Sequence, residues 1–195
     1  MKWLITLFVI VLVFVLLGCA KKDYNFAYQE IKKLDMKYGG DFKNEMLNGT
    51  MVGFDNLSLM KEDLTELRKG LVKEGVNKTK SAILLVDVRL TMLESQKFWY
   101  LGRNLGLGGV TFDGFKCSEV PELLLGRSYF NESFNYGQKA MNLMDSVLIV
   151  YPESRRLFGV DKDRIKFYGS PLGYLNAIIE TNTIAIERYC GYKNP

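Results

Sequence analysis

From Val120 to Tyr151 the positions Val120, Leu124, Arg127, Phe130, Phe134, Gly137, Met141, Met144, Leu148 and Tyr151 succeed one another at steps of four or three. A turn of 3.6 residues brings such positions to one side, whereas a strand would need a period of two. Ser118 is placed to cap this stretch, and Glu119, Pro121 and Glu122 suit a first turn, where acids meet the positive end of the helix dipole and proline lacks only an N–H that has no partner anyway. Unbroken, the helix would run about 50 Å at ~1.5 Å per residue. The fold class this dictates is all-α: an antiparallel bundle of about five to six helices with one long central helix or, if residues 119–151 break near Asn131 to Asn135, a helical hairpin.

The remaining segments supply shorter partners. From Lys21 to Tyr38 the residues Phe26 or Ala27, Ile31, Leu34 and Tyr38 recur at helical spacing until Gly39-Gly40 stops them. Asp41 to Asn56 reads as a connection with at most one helical turn. Ser58 is a candidate cap for a helix carrying Met60, Leu64, Leu67 and Leu71 up to Gly75, with a charged outer face from Lys61 to Lys69. A third helix is expected from Thr79 to Asn104, with Ala82, Val86, Leu90, Leu93 and Tyr100 on one side. Ile83-Leu84-Leu85-Val86 could be a buried strand, but the helical spacing persists well beyond it. The glycines of Leu105 to Lys116 lack the Gly-Lys-Ser/Thr or dinucleotide spacing of a phosphate cradle and read as an interhelical loop. Asp161 and Asp163 open like a calcium loop that then lacks its glutamate. Ser170-Pro171 starts a final helix with Leu175, Ile178, Ile179, Ile186 and Cys190 on its apolar face.

The first nineteen residues set the compartment. Lys2 precedes an apolar run from Trp3 to Leu17, interrupted by Thr6 and ending Leu16-Leu17-Gly18-Cys19. The run would be about 23 Å long as a helix, short of the ~30 Å that a permanent span must cross, so it fits the core of an export signal. Its ending resembles the lipobox of prokaryotic lipoproteins, archaeal or bacterial. That resemblance implies cleavage behind Gly18, a diacylglycerol thioether on Cys19, and a mature chain held by two acyl chains, which suffice for stable anchoring. The expected organisation is a signal at 1–18, the lipidated cysteine and a short tether at 19–25, and one extracytoplasmic helical domain at 26–195. Lys21 and Lys22 would lie at anionic headgroups.

Composition then narrows the chemistry. The net charge of +4, or +3 without Lys2, forms no basic block, and no nucleic-acid role is expected. There is no histidine in the chain, which removes the Ser-His-Asp and Cys-His arrangements and the commonest zinc ligand. With Cys19 carrying lipid, Cys117 and Cys190 remain, an even pair that reads as a disulfide in an exported domain. Four Asn-X-Ser/Thr triplets, at Asn48, Asn56, Asn77 and Asn131, are candidate glycosylation sites suited to the same compartment.

The expectation for function is a lipid-anchored envelope protein whose helical domain binds a protein partner or lends structural support. No catalysis, metal or cofactor is expected, and beyond its leader the chain resembles uncharacterised helical lipoproteins. Two alternatives carry specific residues. Leu125-Gly126, Tyr129, Ala140 and Pro152 resemble one tetratricopeptide repeat, which implies a peptide-holding scaffold, although no second copy is visible. A carboxylate-dependent hydrolase would have only Glu119 with Glu122, or Asp161 with Asp163, as neighbouring acids, and both pairs have ordinary helix-start or turn explanations.

Overall fold

The computed structural model describes residues 23–41, 51–105, 117, 120–152 and 171–191, and every element of regular structure among them is helical. Helix α1 spans residues 23–38 and buries Tyr24, Ala27, Ile31 and Tyr38 along one face. Its described residues begin at Asp23, inside the stretch expected to be tether. Its end is a Schellman motif: Gly39 takes φ +78°, and the Gly40 N–H donates to the Asp35 carbonyl at 2.9 Å. Gly40 is required for a second reason. A Cβ there would sit within 3 Å of Val52, Arg89 and Asp35.

A 3-10 turn, Phe54–Asn56, leads into the helical run Leu57–Asn104. Asn56, not Ser58, occupies the cap position, and no side chain caps there. The 3-10 turn closes with the Asn56 N–H donating to the Gly53 carbonyl at 2.9 Å, and its Phe54 carbonyl accepts the first helical N–H, that of Leu57. The run reverses at Gly75, whose φ of 116° and ψ of 112° lie outside the helical region and in the half of the map open to glycine. Two antiparallel limbs result, α2 (57–74) and α3 (76–104). Lys61 pairs with Glu94 across them, and the Arg68 guanidinium grips both oxygens of Asp87 at 2.6 and 3.3 Å. Thr79 closes the corner by donating to the Leu71 carbonyl at 2.9 Å, an acceptor left over at the end of α2. The charged face of α2 is therefore partly spent on joining the limbs, although Lys69 and Glu66 do pair along the helix as expected.

Helix α4, Val120–Val150, runs through 131–135 unbroken, so this stretch is one helix and not a hairpin. The turn that a tetratricopeptide unit needs there is absent. The buried seam is Leu123, Gly126, Phe130, Ser133, Gly137, Ala140, Met144 and Val147. With Val120, which is also buried, it shares only Phe130, Gly137 and Met144 with the sequence pattern. Leu124, Arg127, Phe134, Met141 and Leu148 lie at its flanks, half-buried. Small residues at heptad spacing let α4 approach α3 closely. Phe130 packs over Gly102, where a Cβ would meet its ring at 2.9 Å. Ser95 and Ser133 each donate a hydroxyl to the other's backbone carbonyl at 2.7 Å. Helix α5, Pro171–Cys190, lies antiparallel to α4, with Arg127 reaching the Thr183 hydroxyl at 3.3 Å.

Successive helices alternate in direction, and α3 is the central one. Its Ala82, Leu85, Val86, Val88 and Leu93 are all buried, on more than one face. The main core joins α1, α2, α3 and the second half of α4, while a smaller one gathers Val120, Leu123 and Phe130 of α4 with Leu175 and Ile186 of α5. Inside the main core lies an ion pair. Arg89 is fully buried and donates to one oxygen of Asp35 from Nε at 3.1 Å and from Nη2 at 2.6 Å. Breaking one side of such a pair strands the other charge away from water, whereas replacing both with apolar groups is close to neutral. Arg89→Met alone is expected to cost about 3–5 kcal/mol, and Asp35→Leu with Arg89→Met together much less than the sum of the single changes. Urea unfolding of the three variants checks this, and an additive double mutant would contradict it.

Candidate functional site

Two ends of the bundle carry the residues singled out by the sequence. At the α4–α5 end, Cys117 and Cys190 are joined by a disulfide with Cα atoms 5.4 Å apart. The first precedes α4 and the second closes α5, so antiparallel packing brings a helix start to a helix end. Trp99, Leu124, Phe134, Ile178 and Ile179 pack around the small core that this bond borders.

At the opposite end α1 begins, and the α2–α3 corner stands at Gly75. The ring centroids of Tyr24 and Tyr151 are 4.7 Å apart, which brings the end of α4 there as well. The interhelical pairings fix the levels: Asp35 with Arg89, Arg68 with Asp87, and Ser95 with Ser133. Counted from them, Phe26 stands level with Lys80, Val72 with Ile83, and Ile149 with Thr79. Phe26, Val72, Val76, Ile149 and Val150 are all exposed large apolar residues, and they fall within about 11 Å along the bundle axis at ~1.5 Å per residue. Ile149 is 81% exposed, more than any other large apolar side chain among the described residues. Lys73, Lys80 and Glu74 are exposed beside them, while Asp23 and Asp145 are half-buried.

A third polar grouping lies where α1 ends. Asp63 accepts from Lys37 at 2.9 Å and from the Tyr38 hydroxyl at 2.7 Å. The Lys37 ammonium is pushed up to about 12, first by the Tyr38 hydroxyl and then by Asp63. The Asp63 carboxyl is held below the ordinary carboxylate range by Lys37 and then Tyr38. Nearby, burial raises the Tyr28 phenol, with the charges of Asp41 and Asp35 adding to it. The Asp63 contacts pin α1 to α2, and they present no open carboxylate pair.

Of the other sequence-derived positions, Asn131 is exposed on α4 and Asn56 is half-buried, with its amide donating to the Tyr38 carbonyl at 3.4 Å. Cys19, Asn48, the side chain of Asn77, Glu119, Asp161 and Asp163 lie outside the described residues. Glu122 is exposed in the first turn of α4. Among the described residues no three His, Cys, Asp or Glu groups converge as metal ligands, and no helix is long and apolar enough to cross a membrane. The sequence reading missed the Asp35–Arg89 pair and the apolar end surface. A lone arginine in the apolar stretch around Val86 and Val88 was the available signal for the first. The buried amide of Gln96, seven residues beyond Arg89 on the same face, has no hydrogen-bond partner. No protein-family model matches the chain, and neither a curated protein nor a solved structure matches it.

Two outcomes follow from this geometry. Reducing the Cys117–Cys190 bond removes a loop constraint of 73 residues and should cost up to about 4 kcal/mol in the chain-entropy model. Hydrogen exchange should show α5 losing protection before α3, and unchanged exchange in α5 after reduction would contradict this. The Asp63 cluster adds a pH dependence whose sign is fixed. Because the folded carboxyl is held below its free value of 3.8, its contribution is present above that pH and is lost as pH falls through the folded value. The Lys37 contribution is present below its free value of 10.5 and is lost as pH rises through about 12. Asp63→Asn should flatten the acid limb of a stability-versus-pH curve, and an unchanged limb would contradict the assignment.

Proposed function

We propose that this chain is a lipid-anchored protein of the extracytoplasmic face of a prokaryotic cell membrane, in which the helical domain binds an envelope partner or supports the envelope and performs no chemistry itself. The observation that carries the reading is the apolar leader ending Leu16-Leu17-Gly18-Cys19: too short to remain as a span, and closed by a thiol in lipobox register. A disulfide between the two other cysteines accords with an oxidising compartment. The exposed Asn131 is better placed than the half-buried Asn56 for a glycan in that compartment. Buried charge and hydroxyl groups are spent on packing helices together, as a binding or supporting domain requires. The unbroken α4 gives the tetratricopeptide reading no turn on which to rest.

The test is made at Cys19. Mass spectrometry of the wild-type protein from membranes should find a mature chain starting at Cys19 and carrying diacylglycerol. Cys19→Ser should remain unprocessed and lose the lipid. Recovery of a wild-type peptide beginning at Met1 from the membrane fraction, with no lipid on Cys19, would reject the proposal.

A further inference from the structure

We propose that the end of the bundle formed by the start of α1, the Gly75 corner and the end of α4 rests in the headgroup layer of the bilayer, an inference that depends on the Cys19 anchor proposed above. The tether fixes the distance. Three residues separate Cys19 from Asp23, the first described residue of α1, and the four links of chain between them reach at most about 14 Å when fully extended. A lipid on Cys19 therefore holds the first turn of α1 near the lipid surface. The other elements at that level are the Gly75 corner and the last turn of α4.

The side chains exposed at this level suit that surroundings. Phe26, Val72, Val76, Ile149 and Val150 come from four helices and share one narrow level, although no covalent reason requires them to coincide. The remaining exposed large apolar residues lie away from it: Met36, Phe54 and Leu59 toward the other end of α1 and α2, and Leu125 and Ile184 on the α4–α5 end. The charges beside the surface are mixed, Lys73 and Lys80 against Glu74, with Asp23 and Asp145 half-buried. Contact is therefore driven by apolar burial at the acyl boundary, with little dependence on headgroup charge. The domain stands upright, its α4–α5 end and disulfide directed away from the membrane. From the pairing of Arg127 with Thr183, Ile184 lies about 33 Å along the axis from Ile149 at ~1.5 Å per residue.

The test uses the full chain, processed and lipidated in a prokaryotic host and reconstituted into phosphatidylcholine vesicles with brominated acyl chains. Flotation with the vesicles is read first, on processed wild type and on a leaderless chain that starts at position 19 with Cys19→Ser and so carries neither lipid nor apolar leader. Val76→Trp, Ile149→Trp and Ile184→Trp then report position by bromine quenching of tryptophan emission. Trp99 is a constant background, about 30 Å from the proposed contact. Emission from the first two should fall about two-fold or more relative to unbrominated vesicles, and should do so equally in high salt, while Ile184→Trp matches wild type. If wild type does not float, the anchor reading fails and this inference fails with it. If wild type floats through Cys19 but Val76→Trp and Ile149→Trp are quenched no more than Ile184→Trp, the anchor stands and the docking is overturned. Blue-shifted emission without bromine quenching would place protein on that surface, and it also overturns the inference.

Discussion

The close approach of α3 and α4 is the constraint on which the architecture depends. Two helices come near enough to exchange hydroxyl-to-carbonyl bonds only if the residues between them are small. Here Gly102 faces Phe130, Ser95 faces Ser133, and Gly137 and Ala140 continue the seam. Each serine satisfies a polar group that burial would otherwise penalise, so the contact is polar in its atoms and still close-packed. With α4 held along one side of α3, the other sides are open to α1 and α2, and Arg89 is enclosed far from water. Its charge is tolerable only because Asp35 and the Gly40 turn arrive at the same place. The Schellman ending of α1 thus does more than stop a helix. It brings the chain close enough to the guanidinium that a larger residue at Gly40 would disrupt both.

How much of this could be read from residues alone differs by element. The α1 stop and the α2–α3 reversal were legible because glycine at positive φ leaves a direct mark, at Gly39 and Gly75. The disulfide was legible by counting once Cys19 is set aside. The seam of α4 was legible in period but not in phase: large apolar residues dominate a pattern, and the tightest contact is made instead by Gly126, Ser133 and Ala140, one residue out of register with it. The Asp35–Arg89 pair could not be found, since partners 54 residues apart meet only once the register of α1 against α3 is known. The exposed end was hidden for the opposite reason. Val147-Leu148-Ile149-Val150 reads as uniformly apolar, and only the packing of Val147 inward, with Ile149 left outward, separates core from surface.

Both exposed and buried groups accord with a domain whose role is positional. The polar groups of Asp35, Arg89, Ser95 and Ser133 join helix to helix, the titratable cluster at Asp63 ties α1 to α2, and the least conventional surface lies where the chain would meet its anchor. With the anchor proposed at Cys19, a short tether and a bundle of alternating helices would together set the orientation of the whole body, because α1 and its parallel partner α3 point in one direction.

The bond between Cys117 and Cys190 has a further consequence for durability. It turns the chain from α4 through α5 into a covalent ring, so a single protease nick anywhere in that ring opens a loop without severing the molecule. In the extracytoplasmic location proposed above such enzymes are met continually, and the damaged polypeptide would keep α5 attached. The lesion would become visible only when a reductant separates the two pieces.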